Sequence, residues 1–264
     1  MDRSFYTYKP SNFEENSTYF DHYLKDLPKP FDDYFEMNLD QSTFYSLLYR
    51  DNHVGFFSIM EDKYLTSIYL PYPLLYTSSN FFQLIMNDFD LQMMLVTSFD
   101  ELGLSLCVDN MDNIETHYLY YSPSGLIVRK AEHPFELFTK ASLFDIDQIK
   151  EVAKDFIDSY EYRINANQVY MQKDDQGNIL GLGLFVPHKY QAGFVSFGVY
   201  VAESTRNKSV GRSILLHLNK VAQEKNLIPR CASLPSNQIY NKTLLSAGFI
   251  SDSKLFVGRK LNRK

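Results

Sequence analysis

The second half of the chain alternates apolar stretches with polar turns at the spacings of strands and amphipathic helices. Strands are predicted at about residues 168–173, 179–186, 194–201, 228–234 and 255–260. Helices are predicted at about 145–159, 212–224 and 236–247, and Gly248 suits the left-handed position after the last of them. Strands that alternate with helices in this order predict an α/β protein with a mixed sheet.

The first half shows a related pattern. Phe13, Tyr19 and Tyr23 have helical spacing, and a further helix is predicted to start near Ser78. Strands are predicted at 44–49, 53–60, 64–70, 91–96 and 103–108, with a hairpin of 116–121 and 126–129 around a Ser-Pro-Ser-Gly turn. Both halves therefore run strand, tight turn, strand, turn, strand, helix, strand. This shared order predicts an internal duplication, with domains at 1–130 and 131–264.

The turn after strand 194–201 carries the most specific chemistry. It reads Arg206-Asn207-Lys208-Ser209-Val210-Gly211 and leads directly into the helix that begins near Arg212. The first amides of a helix have no intrahelical partner, and together with the helix dipole they favour a phosphate. Lys208 and Arg212 add positive charge, and Arg206 lies at the mouth of the turn. The turn therefore predicts a nucleotide-like cofactor that carries a pyrophosphate.

The corresponding turn of the first half has a different composition. Residues 70–76 contain neither a glycine nor a cationic side chain, and Pro71 and Pro73 each remove a backbone donor. This turn is not suited to hold a phosphate in the same way. Only the second copy of the duplicated unit is therefore expected to bind the cofactor.

Composition and charge narrow the class of protein. The 264 residues suffice for two domains, and 45% of them are hydrophobic. A net charge of -6 argues against nucleic acid as a partner. Cys107 and Cys231 lie in apolar runs without zinc or disulfide spacing, so no metal is expected. Signal-peptide and membrane-span patterns are not found, which favours a cytoplasmic protein without a membrane partner; a homodimer is one expected assembly.

Residues 201–212 resemble the acetyl-CoA signature of the GNAT superfamily of N-acetyltransferases, Arg/Gln-x-x-Gly-x-Gly/Ala. Arg206 and Gly211 match, and Ser209 stands where the first glycine is usual. Asn237 lies eleven residues before Gly248-Phe249, which is similar to the Asn…Gly-Phe ending of the family. The resemblance implies a GNAT-like acyl-CoA N-acyltransferase fold, in tandem, with a degenerate N-terminal copy.

The resemblance also implies the contacts of acetyl-CoA. The strand 194–201 would separate from its neighbour, and backbone groups of Val199 and Val201 would bond the thioester and the pantetheine amides. Amides of the turn would hold the pyrophosphate, and Asn237 would contact the cofactor arm, although a simple helix cap is its alternative role. The implied cofactor-binding residues are Val199, Val201, Arg206, Asn207, Lys208, Ser209, Val210, Gly211, Arg212 and Asn237.

The catalytic residues stay unassigned at this stage. The family often has a tyrosine seven residues after the asparagine, serving as the acid to the thiolate, but this chain has Leu244 there. Tyr240, one helical turn earlier, is a weak candidate for that acid, with a core or surface tyrosine as its alternative. His188 and Glu203 are weak candidates for the general base, with a solvated loop carboxylate as the alternative for Glu203.

The resemblance implies acetyl transfer to a primary amine of a small molecule or peptide, by direct attack on the thioester of acetyl-CoA as co-substrate. Leu244 motivates a second hypothesis, a non-catalytic sensor or scaffold that binds acetyl-CoA. A third is a doubled GNAT that transfers aminoacyl groups from charged tRNA. The intact turn and the net negative charge of the chain argue against this third hypothesis. A non-enzymatic α/β domain with an incidental turn is the fourth.

Overall fold

The computed structural model describes residues 5–126 and 128–261. The chain divides into two compact units. The first unit comprises the chain up to Leu119 together with the residues from Ser253 onwards, and the second comprises Tyr120–Asp252. The predicted domain boundary at residue 130 stays a prediction.

The first unit is a mixed sheet with helices between its strands. Its strands lie in the order β1-β2-β3-β4-β5-β12, where β12 is Phe249–Arg259 near the end of the chain. β4 and β5 run parallel, and the pairs β1–β2, β2–β3, β3–β4 and β5–β12 run antiparallel. In chain order its elements are β1 (Tyr6–Ser11), α1 (Phe13–Asp26), α2 (Asp33–Asp40), β2 (Thr43–Tyr49), β3 (Asn52–Met60), β4 (Tyr64–Tyr69), a 3₁₀ segment (Tyr72–Thr77), α3 (Ser78–Asp88), β5 (Met93–Thr97), α4 (Glu101–Asn110) and β6 (Asn113–Pro123).

The second unit repeats this organisation. Its strands lie in the order β6-β11-β10-β9-β8-β7, with β10 and β11 parallel. Its elements are β7 (Phe138–Lys140), α5 (Ile146–Ala153), α6 (Tyr160–Asn165), β8 (Val169–Lys173), β9 (Ile179–Pro187), β10 (Phe194–Val201), α7 (Val210–Glu224), β11 (Ile228–Ser233), α8 (Gln238–Ser246) and β12 (Phe249–Arg259), with 3₁₀ segments at Phe135–Leu137, Leu143–Asp145, Lys154–Phe156 and Glu203–Thr205. The unit boundaries at 119 and 252 fall within β6 and β12, so both strands contribute residues to each unit.

The predicted α/β fold with a mixed sheet is confirmed. Each unit contains a parallel strand pair whose members are joined by a helix, β4–α3–β5 in the first and β10–α7–β11 in the second. A helix then follows the second strand of each pair, α4 in the first unit and α8 in the second. The units therefore share one order of elements.

The predicted strand at 103–108 is wrong, because this segment lies in helix α4. Asp100 is the N-cap, and its carboxylate accepts a hydrogen bond of 2.8 Å from the Gly103 amide. Gly103, Leu106 and Cys107 are buried, which is the spacing of one helix face. A short apolar run of this kind does not distinguish a strand from a buried helix by periodicity alone.

Two other predictions need correction. The single helix predicted over 145–159 is interrupted after α5, because Lys154 and Ser159 have positive φ angles of 46° and 52°. The predicted hairpin lacks its second arm, since residues 126, 128 and 129 are not in a strand and residue 127 lies outside the described residues. β1, α2, β7 and α6 are elements that the sequence pattern did not reveal.

Two glycines of β9 allow helix α7 to approach the sheet of the second unit. A Cβ atom at Gly181 would lie 2.5 Å from the Tyr200 carbonyl oxygen and 2.9 Å from Ile214 of α7. At Gly183 it would lie 3.0 Å from both Ile214 and Leu218. The bare backbone of β9 therefore determines how closely α7 packs, and with it the position of the turn that precedes α7.

Among the described residues, none of the helices is both long enough and apolar enough to cross a membrane.

Candidate functional site

The two parallel strands β10 and β11 pair only along the first four residues of each. Their register runs from Phe194↔Ile228 to Phe197↔Cys231, although β10 continues to Val201 and β11 to Ser233. The other edge of β10 remains paired with β9 as far as Val201↔Gly181. Residues 198–201 of β10 therefore have one open edge, and Val199 and Val201 lie on it. An extended ligand can bond such an edge as an added strand would.

The turn that follows β10 has an irregular backbone with two left-handed residues. Asn207 and Ser209 have φ angles of 63° and 59°, and α7 begins at Val210. The Arg206 amide bonds the Glu203 carbonyl, and the Ser213 amide bonds the Ser209 carbonyl. Between them, the amides of residues 207–212 bond to no backbone carbonyl of the described chain. This cluster of open amides at a helix N-terminus is suited to bind an anion.

Gly211 allows α7 to pack closely against two neighbours. A Cβ atom there would lie 3.3 Å from the Thr243 Cγ2 atom of α8 and 3.3 Å from the Val201 Cγ2 atom of β10. This is tighter than ordinary van der Waals contact. The glycine of the signature is therefore explained by packing, and its amide remains in the open cluster.

The cations of the turn differ in accessibility. Arg206 and Lys208 are exposed, and the Arg206 guanidinium lies 3.9 Å from the Glu203 carboxylate. The Lys208 ammonium donates to the Ser204 carbonyl at 3.1 Å. Arg212 by contrast is buried. Only Arg206 and Lys208 therefore present positive charge to a ligand at the mouth of the turn.

The Arg212 side chain is occupied within the second unit. Its guanidinium bonds the Glu132 carboxylate, the Lys130 carbonyl at 3.1 Å and the Ser209 hydroxyl at 2.9 Å. Its charge is therefore matched by Glu132, while its backbone amide lies in the open cluster. Arg212 was predicted to contact the cofactor. Since its side chain has partners within the protein, its backbone amide is the group that remains for such a contact.

Glu132 is a residue of this site that sequence reasoning missed. Its carboxylate accepts a hydrogen bond of 3.0 Å from the Ser209 hydroxyl and another from Arg212. The bond from Ser209, and after it the Arg212 cation, lower the pKa of Glu132 below its usual value. The available signal was Arg212 itself, because an arginine in the first turn of a helix opposes the helix dipole and needs an anion nearby.

Helix α8 and its N-cap carry Asn237, Tyr240 and Leu244, and Thr243 of the same helix lies beside Gly211 of the turn. Asn237 is the N-cap, and its side-chain oxygen accepts from the Tyr240 amide at 3.1 Å. Leu244 is fully buried. Tyr240 is half-buried with its hydroxyl oxygen inaccessible to solvent, and it shares a helix face with Leu244 and with Thr243, the neighbour of Gly211. Asn237 therefore has the capping role, and Tyr240 is the titratable group of this face.

The two candidate bases lie in contrasting surroundings. The side chain of Glu203 is 74% exposed at the rim of the turn. His188 is buried between β9 and β10, where its Nε2 atom lies 3.0 Å from the Ser196 hydroxyl and its Nδ1 atom has no hydrogen-bond partner. Burial, and then the nearby Arg230 cation, lower the pKa of His188 to about 4. Its imidazole is therefore neutral at pH 7.

The corresponding place in the first unit has a different structure. β4 and β5 also separate early, since they pair only at Tyr64↔Met93 and Leu65↔Met94. The chain then enters the 3₁₀ segment Tyr72–Thr77, which has proline at its start and continues directly into α3. Phe81 and Phe82 of α3 are fully buried in the apolar core of this unit. The first unit therefore has a continuous helical segment where the second unit has the open turn.

Comparison with known families finds a match over part of the chain. Residues 12–124 match the family model described as an acetyltransferase (GNAT) domain. The match lies in the first half, whereas the signature-like turn lies in the second. A search of the curated proteins finds no match.

Solved structures of GNAT proteins have a similar fold over nearly the whole chain. An acetyltransferase of the GNAT family from Colwellia psychrerythraea has a TM-score of 0.86 at 19% identity, covering 97% of this chain and 100% of that one. A GCN5-related N-acetyltransferase from Sphaerobacter thermophilus has a TM-score of 0.59 at 12% identity, covering 98% and 96%. A tandem GNAT protein from the clavulanic acid biosynthesis pathway has a TM-score of 0.59 at 10% identity, covering 98% and 100%. At these identities the likeness concerns the fold.

The match over residues 12–124 and the similarity to solved structures over nearly the whole chain indicate a GNAT-type fold in a tandem arrangement.

Proposed function

We propose that this protein is an acetyl-CoA-dependent N-acetyltransferase that acts on a primary amine of a small molecule or peptide, with its active site in the second unit. One observation carries the proposal: the open edge of β10 at Val199 and Val201 leads directly into the open amides of 207–212. A pantetheine chain laid along that edge would bring its pyrophosphate to those amides.

The proposed reaction is a direct acyl transfer. The amine nitrogen attacks the thioester carbonyl and forms a C–N bond, the nitrogen gives up one proton to a base, the C–S bond breaks, and the thiolate takes up a proton. Backbone donors on the open edge of β10 would stabilise the oxygen charge that develops, and the two bound substrates would be held in reacting geometry. No metal is required for this sequence of steps.

Tyr240 is the proposed acid to the thiolate. Leu244, which replaces the usual tyrosine, has no proton to donate and is fully buried. Tyr240 lies on the same face of α8, with its hydroxyl inside the protein. Glu203 and His188 remain proposed bases, and the low pKa of His188 makes it neutral at pH 7 and a weak base.

Thermal stabilisation by acetyl-CoA tests the cofactor assignment. At a hundredfold excess over Kd, the ligand should stabilise the wild type by about 2.7 kcal/mol. Arg206→Ala should reduce the shift by removing an exposed cation, and Gly211→Asp should abolish it by placing a charged side chain at the packed turn. Lys140→Ala, an exposed cation on the edge strand β7, is the matched control and should keep the full shift.

Two outcomes would contradict the cofactor assignment: no shift in the wild type, or equal shifts in the wild type, Arg206→Ala and Gly211→Asp. The buried Leu244 favours a second candidate, a protein that binds acetyl-CoA without catalysis. A full thermal shift without release of CoA thiol across a broad panel of amines would establish that candidate instead.

A further inference from the structure

The Arg212 guanidinium is a buried cation in the first turn of α7. Arg212 is the third residue of the helix and is 7% exposed. The positive end of the helix dipole disfavours a cation at this position, and a buried charge is costly without a partner. The fold therefore needs an anion at this turn whether or not a cofactor is bound.

Glu132 supplies that anion from a segment eighty residues earlier in the chain. Its carboxylate accepts from Arg212 and from the Ser209 hydroxyl, and Arg212 also donates to Ser209. The backbone of the same segment is held on α7, because the amides of Glu132 and His133 bond the Ser213 hydroxyl at 3.0 and 3.2 Å. We call the three mutually bonded side chains Glu132, Ser209 and Arg212 the clasp.

The clasp holds Ser209 in a backbone conformation that favours glycine. The φ angle of Ser209 is 59°, and its side chain makes no capping bond to its own helix. Instead, its hydroxyl is committed to Glu132 and Arg212. The backbone angles of Ser209 determine the directions of the amides that follow at Val210 and Gly211. Loss of the clasp would therefore let these amides turn away from a common anion.

We propose that Glu132 is a positioning residue of the acyl-CoA site, acting through Ser209 and Arg212 to orient the amides of the turn. This inference rests on the proposed function of the second unit. The side chain of Glu132 is 61% exposed, but its charge is matched by the Arg212 cation that it contacts. The pair therefore adds little net charge that would repel a phosphate.

A double-mutant cycle with Glu132→Ala and Ser209→Gly tests the proposal, with the Kd of CoA measured by calorimetry. Glu132→Ala alone should raise Kd about tenfold or more, because it removes a charged hydrogen-bond partner. Ser209→Gly alone should change Kd by less than about threefold, since glycine adopts the left-handed conformation readily. In the Ser209→Gly background, Glu132→Ala should raise the Kd of CoA by less than about threefold, because a glycine at 209 does not need the clasp to hold its conformation.

Arg212 loses its partner in both backgrounds, so the cycle isolates the effect on Ser209. Glu136→Gln, an exposed carboxylate of the same segment, is the control and should leave Kd unchanged. If Glu132→Ala does not fold, Ser209→Ala replaces it, because it removes the hydroxyl from the clasp while the Glu132–Arg212 ion pair remains; Kd should rise in Ser209→Ala and not in Ser209→Gly. An unchanged Kd in Glu132→Ala, or an equal loss in both backgrounds, overturns the proposal.

If the wild type does not bind CoA, the proposed function fails, and amide hydrogen exchange over residues 207–212 then decides the positioning role alone. Faster exchange in Glu132→Ala, restored by Ser209→Gly, would show that the clasp orders the turn. Unchanged exchange would overturn the inference.

Discussion

At the residue scale, one side-chain type has two different tasks within a single turn. Arg206 is exposed at the mouth, whereas Arg212, six residues later, is buried against Glu132. Only the first can meet a ligand with its charge, and the second contributes to the shape of the turn. Residue type and spacing alone do not separate these tasks, because the partner of Arg212 lies far away in the chain.

Tyr240 is the residue whose proposed chemistry can be tested most directly, through its hydroxyl. If it protonates the thiolate, Tyr240→Phe should lower kcat by about a hundredfold, the usual size of an acid–base contribution. The Kd of CoA should stay unchanged, because the ring and its packing remain. The measurement is steady-state kinetics with thiol detection, together with calorimetry.

Tyr162→Phe is the matched control, since Tyr162 is exposed on α6. It should behave like the wild type. If Tyr240→Phe also keeps the full kcat, Tyr240 is a packing residue and the thiolate acquires its proton from another source.

At the element scale, the close approach of α7 to β9 positions the turn. Much of this could be predicted: strands β8, β9 and β10, helix α7 and the cap of α8 at Asn237 agree with the apolar spacing and the cap residues. Helix α4 could not be predicted in this way, because its short apolar run also suits a strand. The cap at Asp100 and the packing of Leu106 and Cys107 favour the helix. Local propensity is weak where tertiary packing decides.

Replacing Gly181 by alanine should destabilise the second unit by about 1–3 kcal/mol, because the new methyl group would meet the Tyr200 carbonyl oxygen and Ile214. The comparison variant is Gly198→Ala, whose methyl group would meet only the flexible Leu184 side chain at 3.1 Å. It should cost less than about 1 kcal/mol. Urea denaturation measures the free energy of unfolding of both variants. Equal losses would contradict the prediction, because they would mean that the close contacts at Gly181 add no cost of their own.

At the scale of the whole molecule, the two units carry buried titratable groups with opposite responses to pH. In the first unit, burial raises the pKa of Asp100 to about 6, even though the Gly103 amide and the Tyr23 hydroxyl bond its carboxylate. In the second unit, burial and Arg230 lower the pKa of His188 to about 4. Both groups prefer their neutral forms in the folded state.

The stabilities of the units should therefore change in opposite directions between about pH 4 and 6. The contribution of Asp100 is full below its unfolded pKa of 3.8 and is lost as the pH rises through about 6. The contribution of His188 is full above its unfolded pKa of 6.5 and is lost as the pH falls toward about 4. Each can amount to about 3 kcal/mol.

The variants Asp100→Asn and His188→Gln separate these effects in denaturation experiments between pH 4 and 7. Relative to Asp100→Asn, the wild type should lose stability as the pH rises. Relative to His188→Gln, it should lose stability as the pH falls. Parallel pH profiles for the wild type and either variant would mean that the residue in question keeps its ordinary pKa.

The sequence by itself determined the order of strands and helices in the second unit, the doubled organisation and the position of the turn before α7, because these depend on local spacing and on neighbouring residues. Tertiary structure alone decided that β10 and β11 separate after Phe197↔Cys231, that Glu132 holds Ser209 and Arg212, and that residues of β12 lie beside β5 of the first unit. Each of these depends on contacts between residues tens to more than a hundred positions apart. Periodicity along the chain carries no record of such contacts, since they form only when the elements pack.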